Sequence, residues 1–163
     1  MFAAPQAHAP TSLDVDAPPA VRVMGDELSG RRVTATRAIQ AGEVLADLRA
    51  AHPASAPTRF TVQVGEHAHI DGLWQFTFLN HSCAPNVHVD AIAMSIWALR
   101  DIGEGEELGY FYPSTEWQMA EPFDCHCGAE GCIGRVTGAA KLSAATLARF
   151  TVNAHILMLR ERA

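Results

Sequence analysis

The chain has 163 residues, 48% of them hydrophobic and 18% charged, and a formal net charge of −6 at pH 7. That length suits one domain with a core able to stand without disulfides, and the composition is that of an ordinary globular protein. The negative balance argues against a sequence-independent nucleic-acid binder, which needs a basic face to displace counterions, and no apolar run reaches the length that spans a bilayer.

Residues 1–20 are rich in Ala and Pro, with neither a basic start nor a continuous apolar core. They read as a flexible tail rather than a signal peptide. From Val21 onward, short apolar runs broken by Gly, Asp and Pro predict strands at Val21–Met24, Arg32–Ala35, Val44–Asp47, Phe60–Val64, Val87–Asp90 and Ala93–Leu99. Gln40–Glu43 reads as a tight turn and Asp101–Glu106 as a loop. Near the end, Ser143 is a good N-cap, with Leu142 and Leu147 placed to staple across it. Leu147, Phe150, Ala154 and Leu157 recur at helical spacing, and Arg160 and Arg162 suit the negative end of a helix dipole. A helix is therefore expected within 139–163, packed on the domain's own core, with a homodimer surface as the alternative use of its apolar face. Many short strands and one late helix make a mostly-β domain.

All four cysteines fall into one pattern. Cys83 lies in the run Asn80-His81-Ser82-Cys83-Ala84-Pro85-Asn86, and Cys125, Cys127 and Cys132 form a C-x-C-x4-C cluster. Two disulfides are the alternative, but C-x-C is a poor disulfide pair and a good chelate. Four thiolates suit a closed, structural, tetrahedral Zn²⁺ site. Its remote ligand, Cys83, would pin the C-terminal segment to the body of the domain. A zinc site in turn implies a reducing, intracellular compartment, taken as cytoplasmic, with nucleoid, nuclear or host-delivered placement as alternatives. His126 is superfluous to this set, and His67 and His69 read as surface or loop residues.

The stretch from Phe78 to Val87 resembles the signature of the SET-domain lysine methyltransferases. Gly105-Glu106-Glu107-Leu108-Gly109-Tyr110-Phe111-Tyr112 resembles that family's second signature, and Cys125 to Cys132 its post-SET zinc segment. The likeness runs from Val21 to Val136. It implies a β-clip-like SET fold, small curved sheets around a pseudoknot, over residues 21–116. A post-SET segment over 117–138 and a C-terminal helix over 139–163 would follow. It further implies S-adenosylmethionine as donor and a lysine of a basic protein as acceptor. A methyltransferase for a small amine and a non-catalytic, zinc-stabilised peptide-binding module are the alternatives.

Methyl transfer to lysine needs a neutral amine in line with the donor sulfonium, although the unperturbed ammonium has a pKa of about 10.4. A narrow, poorly hydrated channel ending at a positive charge lowers that value, and orientation supplies much of the rest. The resemblance makes Tyr112 the catalytic tyrosine. It makes Tyr110 the residue that limits how many methyls are added, a tyrosine there implying mono- or dimethylation. By the same likeness Asn80 and His81 hold the donor, and Phe123 packs on its adenine. Gly30 opens the donor loop, whose second glycine is replaced by Arg32, a candidate for the donor carboxylate. Asp71 reads as structural. The family's usual substrate insert, strand Tyr and Gly, and post-cluster aromatic are missing, the last replaced by Arg135. The channel is then expected to be walled by Trp117 and Phe111. Glu116, Glu121 and Asp124 would form an acidic loop, either suited to a cationic substrate or simply solvated.

Overall fold

The structure, a computed structural model, describes residues 19–28 and 30–163. Residues 1–18 of the expected tail lie outside them.

Twelve short strands among the described residues are β1 (Val21–Met24), β2 (Arg32–Ala35), β3 (Val44–Asp47), β4 (His52–Pro53), β5 (Val62–Gln63), β6 (His69–Asp71), β7 (Asn80–His81), β8 (Val87–Asp90), β9 (Ser95–Ala98), β10 (Glu107–Tyr110), β11 (Phe123–Asp124) and β12 (Arg135–Val136). They form sheets β1-β2-β10-β7, β3-β9-β8, β4-β6-β5 and β11-β12. Five of the six predicted strands fall on strands at the same or nearly the same residues. The sixth, Phe60–Val64, contracts to Val62–Gln63, because Arg59 and Phe60 sit in an exposed turn where Thr61 N–H donates to the Thr58 carbonyl.

The core collects the apolar faces of the first two sheets. Val33, Leu108, Ile96, Ala98, Val87, Val89, Ile39, Ile102 and Leu48 are all almost fully buried. A register shift between Val44 and Ala46 bends β3, so Leu45 and Ala46 both turn inward, against the alternation of a regular strand. The residues from the first signature are tied to β10. β7 runs parallel to it, pairing Asn80 with Gly109 and His81 with Tyr110. Asn86 then reinforces the junction, its amide donating to the Glu107 carbonyl at 2.8 Å and its Oδ1 accepting from Gly109 N–H at 2.9 Å. A Cβ at Gly109 would lie 2.9 Å from Ser82 Cβ, so the close approach needs glycine.

A second, smaller core holds the C-terminal segment. It contains Phe111, Ala139, Leu147 and Ile156, with Trp117, Ile133, Leu142, Phe150 and Val152 packed around it. The single expected helix resolves into α1 (Ala144–Leu147) and α2 (Ala154–Glu161). Ser143 caps α1 as expected, accepting from Thr146 N–H at 3.0 Å. The chain breaks before α2 because Asn153, extended at ψ 149°, spends its side chain elsewhere. It donates to the carbonyls of Val89 and Ser114 and accepts from Ala91 N–H, each bond 3.0 Å or shorter. Phe150 stacks on Phe111, centroids 3.6 Å apart, whereas Leu157, expected on the apolar face, is 47% exposed.

Asn153 therefore sews the C-terminal segment to β8 and to the turn after β10. Asn153→Ala removes three side-chain bonds to backbone groups, although the Ser114 carbonyl keeps the Asn153 backbone N–H, and is expected to cost about 2 to 4 kcal/mol. Urea unfolding of the two proteins would measure it, and a loss under about 0.5 kcal/mol would show that the second core holds without this side chain.

Candidate active site and cysteine centre

β10 carries Tyr110 into the interior, and a 3-10 turn at Tyr112–Ser114 follows at once, fixed by Pro113. The two tyrosine rings pack 4.7 Å apart, while Phe111, between them, points to the second core. The Tyr112 hydroxyl donates to the Leu79 carbonyl at 2.7 Å. Its backbone N–H donates to His81 Nδ1 at 3.2 Å. That bond settles the tautomer: an amide can only donate, so Nδ1 accepts and Nε2 carries the proton. Nε2 lies 3.2 Å from Cys83 Sγ. Burial pushes the His81 pKa down to about 4 and keeps the ring neutral.

Cys83, Cys125, Cys127 and Cys132 meet with all their sulfurs within 4.8 Å of one another. Cys83 Sγ is 3.9 Å from both Cys125 Sγ and Cys132 Sγ, close to the ~3.8 Å edge of a tetrahedron with Zn–S bonds of about 2.3 Å. All four are free thiols. At Cys127 burial opposes ionisation, but backbone N–H groups of Ala129 and Cys83, and then the neighbouring thiols, outweigh it and bring the pKa down to about 6. The donor set is compatible with zinc. It also anchors one wall of the site, because Phe123 stands edge-on to His81 and Tyr112 at centroid distances of 5.9 and 6.0 Å.

Two cavities meet at Tyr112. The larger, about 860 Å³, is an open cleft lined by Gly30, Asn80, His81, Tyr112, Phe123 and Cys125 among others. Gly30 adopts φ +76° with empty space where a Cβ would stand, so backbone and ligand could approach closely there. The Asn80 amide donates to Glu107 Oε1 and the Arg31 carbonyl. Arg32 starts β2 opposite Met24 and is absent from the cleft lining, where Arg31 stands instead, its guanidinium 4.9 Å over the Phe78 ring.

The smaller cavity, about 30 Å³, is lined by Phe60, Phe76, Tyr110, Tyr112, Glu116 and Met119 among others. Arg59, Phe60, Thr77, Leu79, Tyr112 and Met119 border both. The expected walls, Phe111 and Trp117, belong to the second core instead, displaced because Phe111 pairs with Phe150. Phe60, Phe76 and Met119 take their place, and no spacing in the sequence marks them. Asp71 is exposed on β6, and Asp124 is exposed and paired with Arg135. Glu116 is buried rather than solvated. His69, expected as a surface or loop residue, lies half-buried on β6 with Nε2 3.6 Å from Glu116 Oε2.

The SET-domain family profile matches residues 30–113. A methyltransferase of Aspergillus flavus, flvH, is 36% identical over 121 residues, 73% of this chain and 68% of the relative. An H3 lysine-36-specific histone-lysine N-methyltransferase of Aspergillus oryzae is 42% identical over 82 residues, 43% of this chain and 8% of that protein. Among solved structures, the methyltransferase domain of human SETMAR aligns with TM-score 0.53 at 17% identity, over 72% of this chain and 58% of that one. KRYPTONITE, solved with DNA and SAH, aligns with TM-score 0.53 at 21% identity, over 71% of this chain and 28% of that chain. The chain belongs to the SET-domain methyltransferase family, and its few helices, small sheets and cysteine cluster have the SET fold with a post-SET-like segment.

One group at this site has a pH signature. Burial pushes the Glu116 carboxyl up to about 7 from an ordinary 4.5, against the Gln63 N–H and Thr115 hydroxyl that pull it down. The folded state therefore holds a proton that the unfolded chain releases. Stability from this group is fully present below about pH 4.5 and is lost as pH rises through about 7. The stability of wild type relative to Glu116→Gln is expected to fall between pH 4.5 and 8 by on the order of 3 kcal/mol. Denaturant titrations at both pH values measure it, and a pH-independent difference would mean that the carboxyl titrates normally.

Proposed function

We propose that the chain is an S-adenosylmethionine-dependent methyltransferase acting on the side-chain amine of a lysine in a basic protein, and that it adds one or two methyls. The observation that carries this reading is the place of Tyr112, where an open cleft of ligand size meets a narrow, aromatic-walled cavity. Both kinds of relative support it: the flavus protein is named a methyltransferase, and the oryzae protein a histone-lysine N-methyltransferase.

In this reading the donor occupies the cleft, and its sulfonium supplies an electrophilic methyl. Asn80 and the His81 backbone hold one end of the donor, Phe123 covers its flat ring, and the backbone at Gly30 with the nearby Arg31 guanidinium meets its carboxylate. Tyr112, whose hydroxyl proton is committed to the Leu79 carbonyl, turns oxygen lone pairs toward the methyl. Tyr110 narrows the acceptor side, leaving little room for a third methyl. Its hydroxyl stays protonated, because burial, then Tyr112 and Glu116, push its pKa well up. The cysteine centre, holding zinc, fixes the Phe123 wall and, through Cys83 and His81, the backbone of Tyr112.

Calorimetric titration of zinc-loaded protein with S-adenosylmethionine tests the donor site. Wild type and Tyr112→Phe are expected to bind within about threefold of each other, while methyl transfer to lysine-rich extract proteins falls at least tenfold in the variant. Absence of donor binding by folded, zinc-loaded wild type would move the chain to a non-catalytic peptide-binding role. Cys125→Ser is expected to lose zinc and donor binding together, read by metal analysis and the same titration; donor binding without zinc would detach the cysteine centre from the cleft.

A further inference from the structure

Among the described residues Glu116 is the one acidic side chain on the narrow cavity, and its surroundings set it apart from the other carboxylates. It is 6% exposed. Oε1 accepts from Gln63 N–H at 2.7 Å and from the Thr115 hydroxyl at 3.3 Å. Gln63 also accepts from Trp117 N–H through Oε1, so β5 clamps both the Glu116 carboxylate and the backbone that follows it. Among the described residues Oε2 has one partner, His69 Nε2 at 3.6 Å. Among the described residues no arginine or lysine pairs with it. Proteins rarely bury a carboxylate without a cation.

The groups facing Glu116 from the packed elements do not supply that cation. His69 on β6 is held toward its neutral form by burial and by His155. His155 on α2, also held neutral by burial, is committed to the Thr115 carbonyl. Tyr110 and Tyr112 are neutral, both pushed up first by burial. Arg59, on the shared rim, acts on Tyr112.

We propose that Glu116 is a catalytic residue that binds the acceptor amine as its ammonium ion and takes one of its protons. This rests on the methyltransferase reading and assigns a step within it. An ammonium entering the narrow cavity completes the missing ion pair. One N–H proton passes to Glu116 Oε2, leaving a carboxylic acid and a neutral amine. The nitrogen lone pair then bonds to the donor methyl, and the C–S bond breaks with its electron pair going to sulfur. The products are a methylated ammonium and a neutral thioether. Lysine of a peptide and a free alkylamine share this chemistry.

n-Butylammonium, a lysine side chain without its backbone, probes the site directly. Titration of it into zinc-loaded full-length protein saturated with S-adenosylhomocysteine at pH 7.5, followed by NMR, is expected to show binding that weakens at least tenfold in Glu116→Gln. S-adenosylhomocysteine affinity should stay within about threefold, which checks that the fold is intact. Equal butylammonium binding by both proteins, or none by wild type that still binds S-adenosylhomocysteine, overturns the proposal. Failure to bind S-adenosylhomocysteine sinks the methyltransferase reading itself, and this step with it. A lysine-rich basic peptide then separates the sources: displacement of butylammonium marks a peptide lysine, and coexistence with it a free amine. In single turnovers with whichever of the two the wild type methylates, the Glu116→Gln defect should shrink as pH rises toward 10, where the amine loses its proton unaided. A defect of constant size would reduce Glu116 to a binding group and overturn its role as proton acceptor.

Discussion

Everything at this site hangs on the His81 imidazole. One nitrogen receives the Tyr112 backbone N–H and the other faces the Cys83 sulfur, so a single neutral ring joins the tyrosine turn to the cysteine centre. Its tautomer is dictated by a backbone amide that has no choice of role. Burial keeps the ring from charging, and a charged ring would offer a proton where it must accept one. Phe111, Tyr112 and Phe123 all lie within 6 Å of it, ring centre to ring centre. The aromatic wall is thus assembled around one side chain whose hydrogen bonds admit a single orientation.

The two cavities share Tyr112 but differ in character. The cleft is open, edged by acidic and basic groups alike, and its walls come from loops and from the cysteine segment. The narrow cavity is built largely from residues of the first core, with Thr61 and Glu116 as its buried polar members. The part that would hold the larger molecule therefore rests on a segment secured by side-chain sulfur, while the part that would discriminate the smaller group rests on main-core side chains, Val62, Leu73, Phe76, Leu79 and Tyr110.

Much of this was legible in the sequence, for reasons that differ by element. β1, β2, β3, β8 and β9 carry β-branched and alternating residues, and turn chemistry marks their ends. The four cysteines needed only their spacing. β7 and β10 were readable as motifs but not as strands, since β7 is two polar residues whose pairing depends on a segment thirty residues away. The helix was legible as a period but not as a break, because what sets the start of α2 is Asn153 reaching across to Val89 and Ser114. The cavity walls failed for the same reason. Phe111 and Phe60 have equal claims on paper, and the stacking of Phe111 on Phe150 removes it. Glu116 looked like one of three loop acids. Only the clamp from Gln63 on β5 distinguishes it, and that contact spans fifty-three positions.

The strand order also sets the tempo of folding. β10 lies between β2 and β7, pairing Glu107 with Thr34 and Gly109 with Asn80. The central sheet therefore cannot close until the chain through Tyr110 has left the ribosome, and until then β2 offers an unpaired edge carrying Val33. Contacts so distant along the chain make for slow folding, on the order of milliseconds to seconds. During synthesis the nascent chain is thus exposed to edge-to-edge association, and β10 ends that exposure when it docks.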